Sequence, residues 1–232
     1  MWRTAAAAEK ALATFQEVLA DESLRGLSIP VEANRSVRAD VEIASRVQAL
    51  LDSFGRDIYA RFEAAAAQTL ADSQQSGSLT AAERLLRTHP NAQATSQALL
   101  FLAGQYAENK QFGASSAAYR QLLTRQQVPP QIQAAAVQGI AQIHEAQRSF
   151  HTAHAWWQRL AQEFPDAPAP SKPEQSVASY VIDHLSRPPY EQAGTALGER
   201  LQLPLARRWN RLWSEDRRVT IPEGSPPPEQ GL

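Results

Sequence analysis

The sequence has no cysteine and a single methionine, Met1. Without thiols there can be no disulfide, thiolate zinc site, iron–sulfur cluster or cysteine nucleophile. Lysine is nearly missing: Lys10, Lys110 and Lys172 are the only three, so positive charge is carried by arginine. Charge of either sign is not in excess. The net value is -1 over 232 residues, so no global field points to nucleic acid or an anionic membrane. No run approaches the roughly 20 apolar residues that a membrane-spanning helix needs. Glycine numbers only 10. Gly194 and Gly198 stand without the lysine and serine of a phosphate-binding loop, and no strained serine turn of the hydrolase type is present. Carboxylates are scattered, with no spacing that pairs two of them for acid–base work. These gaps leave catalysis without a candidate residue and cofactors without a binding motif.

What the sequence has in quantity is helical periodicity. Trp2, Ala5, Ala8, Leu12, Phe15 and Leu19 fall on one stripe, and Val37, Val41, Ala44, Val47, Leu51 and Phe54 on a second. Phe54, Ile58, Phe62, Ala66 and Leu70 predict a third helix, with Gly55 as a break. No stretch alternates long enough to predict a strand. Leu27 to Pro30 reads as a loop. Ser76-Gly77-Ser78, His89-Pro90-Asn91, Val128-Pro129-Pro130 and Phe164-Pro165-Asp166 punctuate the helices. The opening residues follow an amphipathic pattern, not a basic stretch with an apolar core. The expectation is a cytoplasmic protein or a piece of a longer one.

The chain also repeats itself. When Phe112 is aligned with Phe150, Ser115 meets Ala153, Tyr119 meets Trp157 and Leu122 meets Leu160, all offset by 38 positions. Ala103 then meets Ala141, and Tyr106 meets His144. Small residues recur where helices would cross closely, and aromatics where the next hairpin must be filled. Ala103, Tyr106, Phe112, Ser115 and Tyr119, and then Ala141, Phe150, Ala153, Trp157 and Pro165, resemble the tetratricopeptide repeat. Lys110 and Arg148 replace that family's turn glycine. The spacing exceeds the usual value of about 34 residues, with the insertion near residues 126–130. A third, degenerate hairpin is expected between Phe54 and Pro90. The resemblance implies an all-α fold, an α-solenoid of antiparallel helical hairpins with a partly irregular C-terminal tail.

A narrower likeness rests on the runs SVRADVE at 36–42, IYARFEA at 58–64, LRTHPN at 86–91, ALLFLA at 98–103 and SAAYRQLL at 116–123. Their order is similar to the helical region that precedes a quinoprotein-type β-propeller in bacterial envelope proteins. Residues 190–198 and 204–209 resemble the lead-in to such a propeller, and Pro226-Pro227-Pro228 reads as a linker. The resemblance implies a helical arm whose propeller is missing, and a periplasmic or envelope location. The expected organisation is a helix and loop over 1–30, repeats over 31–165, a capping helix and linker over 166–189, and a tail over 190–232.

Candidate sites are few. His144, His151 and His154 lie close together, and the last two share a helix face. A packing or surface role is the simpler reading, since no acidic third ligand stands at helical spacing, and no metal site is expected. Arg200, Arg207, Arg208, Arg211, Arg217 and Arg218 surround Trp209 and Trp213. That mixture suits single-stranded nucleic acid. It suits a packing segment better, given the neutral charge, so nucleic acid is the lesser alternative. In the tetratricopeptide fold the first helix of each hairpin lines the concave face. The resemblance thus assigns Gln97, Leu100, Gly104 and Ala107, with Ala135, Gln138, Gln142 and Glu145, to a groove that either takes a peptide or serves as plain scaffold. Trp156 is a contact candidate, or a cover for the segment 177–185. The functional expectation is a non-catalytic interaction or scaffold module whose partner is a protein or neighbouring domain, with no cofactor.

Overall fold

A computed structural model describes residues 4–32, 35–125 and 127–190 of the chain. The chain forms two compact units, Met1–Leu185 and Ser186–Leu232. The first is mostly helical. Its elements are α1 (Ala5–Ala20), α2 (Glu22–Arg25), β1 (Ser28–Glu32), β2 (Arg35–Arg38), α3 (Ala39–Phe54), a 3-10 turn (Arg56–Tyr59), α4 (Ala60–Ser76), α5 (Leu79–Thr88), α6 (Ala94–Glu108), α7 (Phe112–Thr124), α8 (Pro130–Ala146), α9 (Phe150–Glu163), β3 (Pro168–Ala169), β4 (Lys172–Ser176) and α10 (Val177–Leu185). In the second unit, residues 186–190 are described, and there the Tyr190 N–H donates to the Arg187 carbonyl at 3.0 Å.

Local chemistry sets the helix ends. The Thr4 hydroxyl accepts from the Ala7 N–H at 3.3 Å and starts α1. Ser78 does the same for Ala81 at 3.3 Å and starts α5. Pro130 is the first residue of α8, where its missing N–H costs nothing. Gly77, at φ 67°, closes α4 in the left-handed conformation that a side chain resists.

Each helix from α4 to α10 packs against the next, α4 also packs against α6, and α6 against α8. One apolar cluster gathers Leu12, Leu19, Val47, Tyr59 and Leu85 from α1, α3, the 3-10 turn and α5. Tyr59 is fully buried, and its hydroxyl accepts from the Gln16 amide at 2.7 Å. A second cluster holds Leu99, Tyr119, Leu122, Ile140 and Ile143. Leu86 packs against both and joins them. At the N-terminal side of this unit, α1 lies on α3 and α5.

Three sequence expectations need correction. The stretch read as a loop at Leu27 to Pro30 carries β1, antiparallel to β2 with Ile29 opposite Val37. These strands are short and their edges open to solvent, so no alternating apolar pattern is required of them. Val37 thus belongs to a strand, and Val41 is 56% exposed. The buried stripe of α3 runs instead through Ala39, Ile43, Val47, Leu50 and Leu51. Residues 166–189 hold more than a capping helix and linker: β3 and β4 pair antiparallel before α10.

Candidate functional site

One turn geometry recurs in the backbone. Lys110 and Arg148, where glycine was absent, adopt φ 58° and 59°. They match Gly77 at 67°. After each of these residues the next N–H reaches back five positions: Ser78 to the Ser73 carbonyl at 3.0 Å, Gln111 to Tyr106 at 2.8 Å, and Ser149 to His144 at 2.8 Å. The same hydrogen-bonded turn therefore closes α4, α6 and α8. Two bulky residues bear the left-handed strain because the following helix must fold back at that point.

Side chains at the repeat positions are mostly buried or half-buried. Ala103, Ser115, Ala141 and Ala153 are completely buried. The Ser115 hydroxyl donates to the Ala103 carbonyl at 2.6 Å and ties α7 to α6. Ala153 has no hydroxyl, and α9 is tied to α8 instead by the Trp157 indole N–H, which donates to Glu145 at 2.7 Å. Tyr106 donates to the Glu83 carboxylate at 2.6 Å, linking α6 to α5. That bond and partial burial push its hydroxyl up to about 12. Phe112 and Phe150 open α7 and α9 at half-buried positions. Pro165 is exposed just past the end of α9.

Tyr119 and Trp157, the paired aromatics, each reach the following helix. Tyr119 is 7% exposed and lies over Gly139 of α8, where an added Cβ would come within 2.2 Å of the ring. Trp157 is fully buried and meets α10, with ring centroids 5.8 Å from Tyr180 and 4.4 Å from His184. The Glu145 carboxylate accepts from the Trp157 indole N–H at 2.7 Å and stands 2.6 Å from His184 Nε2. Glu145 thus joins α8, α9 and α10.

The groove residues separate accordingly. Gln97 and Gln142 are exposed, and Leu100 is half-buried against the second apolar cluster. Gln138 is 4% exposed, and its amide donates to the Ser171 hydroxyl in the turn between β3 and β4. Gln138 and Glu145 are corrected on this point: both hold the C-terminal hairpin and α10 and are not open along a groove. Trp156 is corrected too. It packs against the cluster of α6 to α8, with the Arg159 guanidinium 5.0 Å above its ring, while Trp157 is the residue that meets segment 177–185. His144 is pushed below its ordinary range by burial and by Arg120, His151 is exposed, and His154 is half-buried. Among the described residues, no group of three His, Asp or Glu stands where a metal ion could be held. The arginine- and tryptophan-bearing segment 200–218 lies outside the described residues, as do 191–198 and 204–209.

Gly139, Ser171 and His184 hold these contacts, and nothing in the periodicity marks them. For Gly139 a signal did exist: a lone glycine inside an alanine-rich helix costs about 1 kcal/mol against alanine, so it needs a packing reason. No protein-family model, curated protein or solved structure matches this chain.

Proposed function

We propose that the protein is a non-catalytic interaction or scaffold module of the tetratricopeptide-like α-solenoid type. The supporting observation is the turn that recurs at Gly77, Lys110 and Arg148 with one hydrogen-bond pattern. A turn repeated in this way stacks hairpins in register, and stacking is how helical repeats build an extended face. The first helices of successive hairpins, α4, α6 and α8, pack on one another in that order. Gln97 on α6 and Gln142 on α8 are exposed and uncommitted to the core. With Gln138 and Glu145 taken up internally, the binding face reduces to these side chains and the half-buried Leu100 between the helices. The partner is another folded protein or a neighbouring domain of the same assembly. Binding would come from burial of partner surface along rigid helices, with little ordering cost.

The test is a complex purified from the source cells with the full chain as bait, followed by affinity measurement with the identified partner. Gln97→Arg and Gln142→Arg should each weaken binding by about tenfold, while Arg46→Gln on α3 should not. Unchanged affinity in both groove variants would remove this face from the proposal.

A further inference from the structure

A second feature lies where the loops before α6 and before α8 meet the middle of α3. Here a cleft of about 230 Å³ is lined by Arg56, Asn91, Ser96 and Arg125 among others. Arg56 comes from the 3-10 turn and Arg125 from the residue that ends α7. Arg56 donates through Nη2 to the Asn91 carbonyl at 2.8 Å. Arg125 donates through Nη2 to the Pro90 carbonyl at 2.6 Å. Two guanidinium groups are thus anchored to consecutive carbonyls of one turn, and both line the same cleft. One carboxylate serves them: Glu63 pairs with Arg56 and also accepts from the Gln93 N–H at 2.9 Å. Arg125 meets no carboxylate among the described residues.

This arrangement leaves a half-buried guanidinium, that of Arg125, without a carboxylate to balance it among the described residues. Burial pushes the Arg125 guanidinium below its ordinary range. The Nε atoms of both arginines are sealed without a partner. Their Nη1 groups, also without a protein partner among the described residues, stay accessible. Ser96 adds a hydroxyl. It is 5% exposed, lines the cleft, and has no side-chain hydrogen bond among the described residues. It sits in the first turn of α6, whose N-cap residue Gln93 already donates its N–H to Glu63, so the cleft's donors are side chains. A buried charge is normally paired, and an unpaired one raises the folding cost.

We propose that this cleft binds a tetrahedral oxyanion of the phosphate class, held by Arg56, Arg125 and Ser96. Three donors from three separate elements call for an acceptor with oxygens in more than one plane. A planar carboxylate can accept several hydrogen bonds but only close to its own plane, whereas a tetrahedral oxyanion offers oxygens to donors that arrive from different directions. The anion can be free inorganic phosphate or the phosphate group of a small metabolite, and the same contacts serve both.

The experiment is a titration of the full chain at constant ionic strength, read by the arginine side-chain Nε–Hε signals. Inorganic phosphate, glycerol phosphate and acetate are added in separate arms. The expected result is saturable movement of the Arg56 and Arg125 signals with phosphate, and none for Arg159. Tighter binding of glycerol phosphate than of phosphate would assign the ester as the source, and the reverse order would assign the free ion. In Arg125→Gln the phosphate affinity should fall by at least about tenfold, and Ser96→Ala should lower it by less. The signals of the unsubstituted protein keep the proposal testable even if a variant misfolds. Absence of saturable movement, acetate binding as well as phosphate does, or full affinity in folded Arg125→Gln would each overturn it.

Discussion

Replacing Gly139 by alanine separates two effects that usually run together. In a helix interior, alanine is favoured over glycine by about 1 kcal/mol. At Gly139 the new Cβ would lie 2.2 Å from Tyr119 Cζ and 2.6 Å from its hydroxyl oxygen. Carbon atoms in contact normally stay about 3.5–4.0 Å apart, so the ring or the helix must move by more than an ångström. Tyr119 is only 7% exposed and sits in the second apolar cluster, so the ring has little free space to turn into. Overpacking of this kind costs about 1–3 kcal/mol, and the depth of the overlap places it at the upper end. The net result is a loss of about 1–2 kcal/mol, or a fall in Tm of roughly 2–8 °C. Gly104→Ala is the matched control. It is also inside a helix, and nothing lies within 4 Å of the added Cβ. It should gain up to about 1 kcal/mol. Denaturant unfolding followed by circular dichroism measures both. The penalty at Gly139 should shrink in a Tyr119→Leu background, because the smaller side chain leaves room. If Gly139→Ala stabilises as much as Gly104→Ala, the close seating of the aromatic on α8 is wrong.

Three further outcomes follow from the same geometry. Lys110→Gly and Arg148→Gly should each stabilise the protein by about 0.5–1 kcal/mol, since a left-handed residue with a side chain costs about 1–2 kcal/mol and glycine's extra chain entropy offsets part of it, as thermal unfolding can show. Tyr59→Phe should destabilise by about 1–3 kcal/mol, because the Gln16 amide, 7% exposed, would lose its hydroxyl partner; restored stability in Gln16→Leu/Tyr59→Phe would identify the lost bond as the cause. Burial holds His89 below its ordinary 6.5, so the unfolded chain binds more protons in that region. Stability is therefore full above about pH 6.5 and declines as pH falls through the folded value; His89→Gln should flatten the decline seen in denaturant midpoints, leaving the share that His144 contributes in the same direction.

Helices and their ends were legible because both are local. The break at Ser76-Gly77-Ser78 and the prolines before α8 act within a few residues, and the apolar stripe of α1 follows from spacing alone. The repeat was legible for a related reason. Small and aromatic residues at matched offsets describe one hairpin's packing, whatever else surrounds it. Lys110 and Arg148 were noted as departures from glycine, and the backbone places both in the conformation that glycine would have served. The strands were not legible, because two short exposed hairpins need no apolar alternation. The phase of α3 was misread at Val41 for a similar reason: a valine on the outer face preserves the spacing.

By itself, then, the sequence determined a helical chain, its breakpoints and its internal duplication, since each depends on contacts a few residues apart. The tertiary structure alone decided which polar side chains were free. Gln138 and Glu145 occupy helix positions that spacing would leave open, yet Ser171, Trp157 and His184 come from later elements and take them up. In the same way Arg56 and Arg125, distant in the chain, converge on the turn at Pro90 and Asn91. Periodicity reports which face of a helix is apolar. Which polar groups meet across that face depends on how separate elements pack, and that is settled only when the chain has folded.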